Sequence, residues 1–323
     1  MERARPTEGR NNVGGRQGSR AQRGRLSVGA RIVAVVAISG AVVGAGMHPA
    51  LADDGTGSAQ PLITSIAVAT DATHGPLVAY RNAVGDVYVK TGSLDAGWVK
   101  EQGPGVRAVA IATDASNGPL IAIIDGTGTV WAKEGALNAP WVREQSPGVR
   151  AVAVASDPAH GPLIVIIDST GTAYAKEGSL DAGWVQERGP GIFAVAAASD
   201  PVNGPVIVTD NFTGTVWAKE GSLTSGWVRE RGPGVLRIAA ASDPTNGPLI
   251  AVDDITGTAW AKQGSLNASW VNEQHPGVWA ITAASDPANG LLLGIMQFGN
   301  YWAKEGSLNA GWVFQKGPLH PDI

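Results

Sequence analysis

Short apolar runs alternate with polar turn sequences along almost the whole chain, and this pattern repeats every 43 residues. Each copy begins with a run of Ala and Val, passes through a turn sequence and a second apolar run, and ends near a Trp-Val pair. Runs of this length, separated by Gly, Pro, Asn and Asp, predict β-strands. A repeat of about 40 residues that holds several short strands is typical of a β-propeller blade.

The third copy shows the strands of one repeat most clearly. Apolar or alternating runs at 149–156, 163–167, 172–176 and 184–187 predict four strands, and the run at 163–167 is apolar on both faces, as in a strand buried on both sides. The small residues of the first run suit the narrow inner part of a wedge-shaped blade, whereas the later runs carry Tyr or Trp to fill the wider outer part.

Six such copies predict an all-β fold, a six-bladed β-propeller with four antiparallel strands in each blade. Marker tryptophans follow the period in every copy, and only the last interval is one residue short. We expect noncovalent ring closure, with no blade shared between the two ends of the chain. A β-solenoid would have shorter coils, and a β-trefoil would have threefold repetition.

The N-terminal segment reads as an export signal. It is Arg-rich up to Arg31, continues with an apolar stretch at 32–47 that is shorter than the roughly 20 residues of a membrane-spanning helix, and ends in Ala50-Leu51-Ala52. We therefore expect a secreted protein. The predicted organisation is a signal peptide at 1–52, a linker at 53–60, the propeller at 61–318 and a tail at 319–323.

The net charge and the cysteine content exclude several classes of partner and site. The whole chain carries a net charge of −4, and the first 52 residues hold eight Arg and two Glu, so the remainder is near −10. An acidic chain lacks the basic footprint that nucleic acids and anionic lipids require, so we expect no nucleic-acid partner and no stable membrane insertion after signal cleavage. The absence of cysteine excludes disulfides and thiolate metal sites, and no cofactor is predicted.

The repeat contains Thr-Gly-Thr-x-Trp-Ala-Lys followed by Gly-Trp-Val-x-Glu-x-Gly-Pro-Gly. This pattern resembles the tectonin and tachylectin type of propeller lectin, and it is similar to fucose-binding bacterial propellers and to the Lys-Glu-Gly-Ser-Leu-x-x-x-Trp-Val repeats of secreted actinobacterial proteins. The resemblance covers about 61–318. It implies sugar recognition in shallow pockets repeated around the ring, with glycans or a cell-surface protein as partners.

Our candidate ligand site is the aromatic residue of the third strand together with the Lys two positions later. Each Lys could donate a hydrogen bond to a ligand hydroxyl from the blade rim, form an ion pair with Glu101 or its equivalents, or simply be solvated. The candidate residues are Tyr88, Lys90, Trp131, Lys133, Tyr174, Lys176, Trp217, Lys219, Trp260, Lys262, Trp302 and Lys304.

Other repeated residues favour packing or turns. The fourth-strand tryptophans, Trp98 and its equivalents, suit sugar stacking but recur in every copy, as residues that hold blades together do. The pairs Asp200 with Asn203 and Asp243 with Asn246 offer too few oxygens for calcium, which takes 6–8 ligands. No nucleophile, base and acid converge in the sequence, so we predict a binding protein rather than an enzyme; a hydrolase or lyase is the weaker alternative.

Differences among the copies give a second candidate surface. At the start of the inner strand the residue type varies from blade to blade, and this position is expected on the face that carries the turns between second and third strands. A protein-interaction scaffold that uses this mouth of the propeller is the alternative function. Its residues are Arg107, Arg150, Phe193, His275 and Trp279.

Overall fold

The computed structural model describes residues 63–71, 73–145, 147–274, 276–286 and 289–315, with the side chain of Asp286 excluded. The signal peptide, the linker and the C-terminal tail predicted from the sequence lie outside these residues. Within them every regular element is a β-strand, and none of the described segments forms a helix that could cross a membrane.

Blades 1 to 3 each consist of four consecutive strands. Blade 1 contains β1 (Ile63–Asp71), β2 (Gly75–Asn82), β3 (Val87–Thr91) and β4 (Val99–Gln102). Blade 2 contains β5 (Ala108–Asp114), β6 (Gly118–Ile124), β7 (Val130–Glu134) and β8 (Val142–Gln145). Blade 3 contains β9 (Ala151–Asp157), β10 (Gly161–Ile167), β11 (Ala173–Glu177) and β12 (Val185–Arg188).

Blades 4 to 6 repeat this order. Blade 4 contains β13 (Ile192–Asp200), β14 (Gly204–Asn211), β15 (Val216–Glu220) and β16 (Val228–Arg231). Blade 5 contains β17 (Val235–Asp243), β18 (Gly247–Asp254), β19 (Ala259–Gln263) and β20 (Val271–Gln274). Blade 6 contains β21 (Val278–Asp286), β22 (Gly290–Gln297), β23 (Asn300–Gly306) and β24 (Val313–Gln315).

Each sheet pairs its own four strands in chain order and antiparallel. The prediction of a six-bladed β-propeller with four antiparallel strands per blade is therefore confirmed. No described blade combines strands from both ends of the chain, as expected from the sequence.

The hydrophobic core lies between the blades. The second strand of a central blade is buried along nearly its whole length, as β10 shows, because the neighbouring blades cover both of its faces. The inner strands contribute Ala and Val, and the larger side chains of the second strand pack against them. Small inner residues allow close approach of the blades where the wedge is narrowest.

Buried hydrogen bonds join successive inner strands. Asp157 accepts the backbone N–H groups of Ala159 and His160, which closes its own turn, and its second carboxylate oxygen accepts the hydroxyl of Ser199 from the next blade. One aspartate thus forms the turn and links two blades. The same link joins Thr113 to Asp71, Ser156 to Asp114, Ser242 to Asp200 and Ser285 to Asp243.

Blades 6 and 1 do not form an equivalent interface among the described residues, which therefore do not show the noncovalent ring closure expected from the sequence. Five successive pairs of blades pack through their inner strands, but β21 and β1 do not pack in this way. Leu292 of blade 6 is 42% exposed, whereas its equivalents Leu120, Leu163 and Leu249 are fully buried. On the facing side, Ile66 of blade 1 is 49% exposed. We call this open junction the seam.

The two faces of the propeller carry different connections. On one face lie the turns between second and third strands and the connectors that lead into the next inner strand, since Gly105 and Val106 of a connector donate to Val84 and Gly85 of such a turn. We call this the connector face. The opposite face carries the turns between first and second strands and the loops between third and fourth strands, where Gly92 donates to Pro76.

Candidate functional site

The lysines of the candidate site are buried between the blades. Lys219 is about 2% exposed, and its ammonium donates to Glu187 of the preceding blade and to the carbonyl of Leu223 in its own blade. The same ion pair to the preceding blade is formed by Lys133, Lys176, Lys262 and Lys304 with Glu101, Glu144, Glu230 and Glu273, respectively. These ammonium groups therefore have partners within the protein.

A β-bulge aims each glutamate at its lysine. In blade 3, Ala173 pairs with Arg188 and Tyr174 pairs with Gln186, so Glu187 is the extra residue of the fourth strand. A bulge re-aims a side chain relative to the regular alternation of the strand. Burial raises the pKa of Glu187, and the hydrogen bond and charge of Lys219 oppose that rise. The bulge thus supplies a buried counter-ion across the blade junction.

The fourth-strand tryptophans complete this junction. The indole Nε1 of Trp227 donates to the carbonyl of Glu187 at 3.1 Å, and the Lys219 ammonium lies 5.4 Å from the centroid of its ring. Trp184, Trp270 and Trp312 donate to the preceding blade in the same way. Their role is packing, as the sequence indicated.

Lys90 is the exception among the six lysines. It donates to the carbonyl of Leu94 and lies over Trp98, but no glutamate partner is present for it among the described residues. Blade 6, which would supply that partner across the seam, carries Gln315 three residues after its tryptophan, and its fourth strand has no bulge. The broken ion-pair series coincides with the seam.

The third-strand aromatics are partly buried at the blade junctions, and a cation covers two of them. The guanidinium carbon of Arg188 lies 3.8 Å from the ring centroid of Trp217, and that of Arg231 lies 3.7 Å from the ring centroid of Trp260. Because each arginine comes from the preceding blade, the stacked pair spans the junction. The other third-strand aromatics are Tyr88, Trp131, Tyr174 and Trp302, all partly buried.

A groove of about 620 Å³ opens beside the first of these stacked pairs, between blades 3 and 4. Burial lowers the pKa of Arg188, which lines the groove. Its guanidinium makes no ion pair or hydrogen bond with any described residue. The groove is lined by Gln186, Glu187, Arg188, Gly189, Pro190, Ile192 and Asn211.

The junction between blades 4 and 5 has a different charge balance. There Asp254 occupies the position of Asn211, its Oδ2 lies 3.9 Å from Nη2 of Arg231, and it also accepts the indole N–H of Trp260 at 3.0 Å. The remaining described junctions carry glutamine at the arginine position, as at Gln102. The groove between blades 3 and 4 therefore holds an arginine without a carboxylate partner.

Sequence reasoning did not select Arg188, Gln186 or Asn211. The available signal was the residue four positions after the fourth-strand tryptophan, which is arginine only in blades 3 and 4. A search for residues shared by all six copies passes over it. The proposed ligand-binding role of the third-strand aromatics and lysines stays a prediction, although the buried ion pairs give the five paired lysines a structural role.

The mouth residues lie on the connector face. Phe193 and Trp279 are 58% and 47% exposed, and Arg107 is also exposed. Arg150 donates from Nε to the carbonyl of Asp168 at 3.0 Å, so this side chain is partly tied to a turn. His275 lies outside the described residues.

The Asp-x-x-Asn turns, which the sequence indicated as turn caps rather than calcium sites, are closed by their own groups. Asn203 donates its side-chain amide to both carboxylate oxygens of Asp200, at 3.2 and 3.1 Å, and Asn246 does the same to Asp243. An amide that points its donor at the carboxylate caps a turn. The described residues contain no cluster of three or more His, Cys, Asp or Glu side chains suited to a metal ion.

Searches with protein-family models and against curated proteins gave no match. Solved structures do match. The BP39L lectin from Burkholderia pseudomallei has a TM-score of 0.59 at 14% sequence identity, covering 79% of this chain and 83% of the lectin chain. The SapL1 lectin in complex with alpha methyl fucoside has a TM-score of 0.53 at 13% identity, covering 81% of this chain and 98% of the lectin chain.

A structure that is not described as a lectin is also similar. BBS1N in complex with ARL6DN has a TM-score of 0.51 at 12% identity, covering 75% of this chain and 76% of that chain. Likeness at this level of identity defines a fold, and function depends on the site. The resemblance to propeller lectins drawn from the sequence is thus confirmed in the fold, which this chain shares with the BP39L and SapL1 lectins.

Proposed function

We propose that the protein binds carbohydrate in the groove between blades 3 and 4, as a secreted lectin-like propeller without enzymatic activity. The observation that carries the proposal is the Arg188 guanidinium, which lines the groove, stacks on Trp217 and makes no ion pair or hydrogen bond with the described residues. Guanidinium offers five N–H donors in a fixed plane, and sugar hydroxyl oxygens are suitable acceptors.

The other side chains of the groove suit the same ligand class. Gln186 and Asn211 supply amide groups that both donate and accept, which matches hydroxyl groups that do the same. The Trp217 ring packs against one face of the Arg188 guanidinium, so a sugar contacts the guanidinium edge rather than the covered indole face. The lectin structures with the same fold support this assignment.

Isothermal titration of the purified protein with a panel of mono- and oligosaccharides tests the proposal. Binding near one site per chain is expected if the groove between blades 3 and 4 acts alone, and near two if the Arg231 junction also binds. A stoichiometry near six would place recognition in the repeated third-strand positions, and six sites would increase avidity on a glycan surface. Absence of heat with every sugar, on folded protein, would refute the proposal.

Two arginine variants locate the site. Arg188→Ala removes charge-assisted hydrogen bonds and is expected to weaken sugar binding about 10- to 100-fold. Arg107→Ala is the matched control, because it removes an exposed arginine from the same face at a distance from the groove. If Arg107→Ala abolishes binding and Arg188→Ala does not, the mouth of the propeller is the binding site.

A second candidate function is protein interaction through the mouth. The exposure of Phe193 and Trp279 on the connector face favours it, since large exposed apolar side chains in proximity often mark contact surfaces. Replacing both Arg150 and Trp279 should then abolish capture of a defined partner while sugar binding is retained; unchanged capture would refute this function.

A further inference from the structure

Blades 4 to 6 present large apolar side chains to solvent at two positions each on the connector face. One position starts the inner strand, and the other is the tip of the turn between second and third strands. All six side chains are between 47% and 72% exposed. We call this set the apolar arc; it consists of Phe193, Phe212, Leu236, Ile255, Trp279 and Phe298.

Backbone hydrogen bonds place the members of the arc side by side. Phe212 donates to Gly191, Ile255 donates to Gly234, and Phe298 donates to Gly277, which ties each turn tip to the connector of its own blade. Other bonds tie each connector to the turn of the preceding blade, as from Val278 to Gly257. Turns and connectors therefore alternate without interruption across three blades.

The tip side chains rest on the connectors. A methyl group added at Gly277 would lie 2.4 Å from the Phe298 ring, and one added at Gly234 would lie 3.4 Å from the Ile255 side chain. Phe193 and Phe212 also contact each other, with ring centroids 6.0 Å apart. The exposed apolar groups are thus held in place before any partner binds, which lowers the entropic cost of association.

The first three blades differ at the same two positions. They carry Thr64, Arg107 and Arg150 at the start of the inner strand, all exposed. At the turn tip they carry Ala83, Gly126 and Ser169. Packing within the blades does not require the large residues of blades 4 to 6, because blades with small or polar residues at these positions form the same four-stranded sheet.

The area of the arc is adequate for a stable contact. Aromatic side chains bury about 150–250 Å² each when fully covered, so six large side chains that are roughly half to two-thirds exposed offer about 450–1,000 Å². A typical interface buries about 800 Å² per partner, whereas the largest apolar patch of a monomer is about 300–600 Å².

We propose that the apolar arc is the contact surface of a two-fold symmetric dimer, in which the arc of one copy packs on the arc of a second copy. A two-fold contact brings identical patches together, and large apolar side chains dominate this patch, as they do in homodimer interfaces. Arg107, at the equivalent inner-strand position of blade 2, lies on the other half of the face and outside the contact.

Sedimentation velocity and light scattering over about 1–100 μM, a range that spans typical homodimer affinities, test the proposal. The wild type is expected to form dimers. The double variant Trp279→Ser/Phe298→Ser is expected to weaken dimerisation about 100-fold or more, because it removes aromatic anchors from the contact. Val202→Ser is the control, since Val202 is 69% exposed but lies on the opposite face.

Several results would overturn the proposal. The wild type could stay monomeric throughout the range, or the folded double variant could dimerise like the wild type. A monomeric wild type that floats with phosphatidylcholine vesicles would instead assign the arc to a lipid surface. Hydrogen exchange of the wild type at low and high concentration provides a readout without variants. Protection that rises with concentration at 212–214, 255–257 and 298–299 supports the dimer; unchanged protection there contradicts it.

Discussion

Removing the ammonium of Lys219 is expected to destabilise the propeller strongly. In the variant Lys219→Met, Glu187 remains buried without its counter-ion, and breaking a buried pair from one side costs about 3–5 kcal/mol. The double variant Lys219→Met/Glu187→Leu removes both charges and is expected to recover most of the loss. Apolar replacements of buried pairs are often neutral or stabilising.

Lys90→Met is the matched control for this experiment. Lys90 occupies the same repeat position but faces the seam, where no described glutamate accepts its charge. Its loss removes mainly the contact with Trp98, a cation–π interaction of about 0.5–2 kcal/mol. The difference between the two lysine variants therefore isolates the buried glutamate.

Urea unfolding followed by tryptophan fluorescence measures the free energy of unfolding of five proteins: the wild type, the three variants above and the single variant Glu187→Leu. The double-mutant cycle between Lys219 and Glu187 gives their coupling energy directly. Equal losses for Lys219→Met and Lys90→Met, or no recovery in the double variant, would refute the argument that the buried pair links the blades.

Three other changes test particular contacts by unfolding. Burial raises the pKa of Asp210 to about 7. Between about pH 4 and pH 7 the unfolded chain therefore loses this proton while the folded chain keeps it, so Asp210 lowers native stability progressively as pH rises through this window. Asp210→Asn is expected to stabilise the protein at pH 8 and to have little effect at pH 4, and a pH-independent effect would contradict this. Ser199→Ala leaves Asp157 without its inter-blade donor and should cost about 1–3 kcal/mol in a urea titration; Ser93→Ala, in an exposed loop, is the control. Gly214 has φ 70°, and a methyl group added there would lie 2.5 Å from the Val235 backbone. Gly214→Ala should therefore reduce the free energy of unfolding by at least about 1–3 kcal/mol and lower the melting temperature by several degrees. An unchanged melting temperature would show that the turn adapts.

The strands and turns could be predicted from the sequence because their signals are local and repeated. The predicted third strand at 172–176 is observed as β11 (Ala173–Glu177), and the Asx turn at Asp157 forms as expected. Repetition strengthened each assignment, since a strand seen in one copy had to suit the others. The fourth strands were also located, but their bulges were not predicted.

The site was harder to predict because its residues face one another across blade junctions. Lys219 and Glu187 are 32 positions apart in the sequence, and the bulge that aims Glu187 has no composition signal of its own. Arg188 differs from most of its equivalents, so comparison of identities among the copies could not select it. The residues of the apolar arc also differ from their equivalents in the other copies, and the sequence analysis selected only Phe193 and Trp279 among them.

The seam gives the molecule two ends, although its blades are arranged around an axis. Each ion pair runs in one direction, from the glutamate of one blade to the lysine of the next, and Gln315 ends the series at the last blade. In energetic terms the described blades then form a linear array of neighbours rather than a closed ring, and local opening costs least at its terminal units. Exchange of backbone amides should therefore be fastest in β1 and β24 and slowest in blade 3.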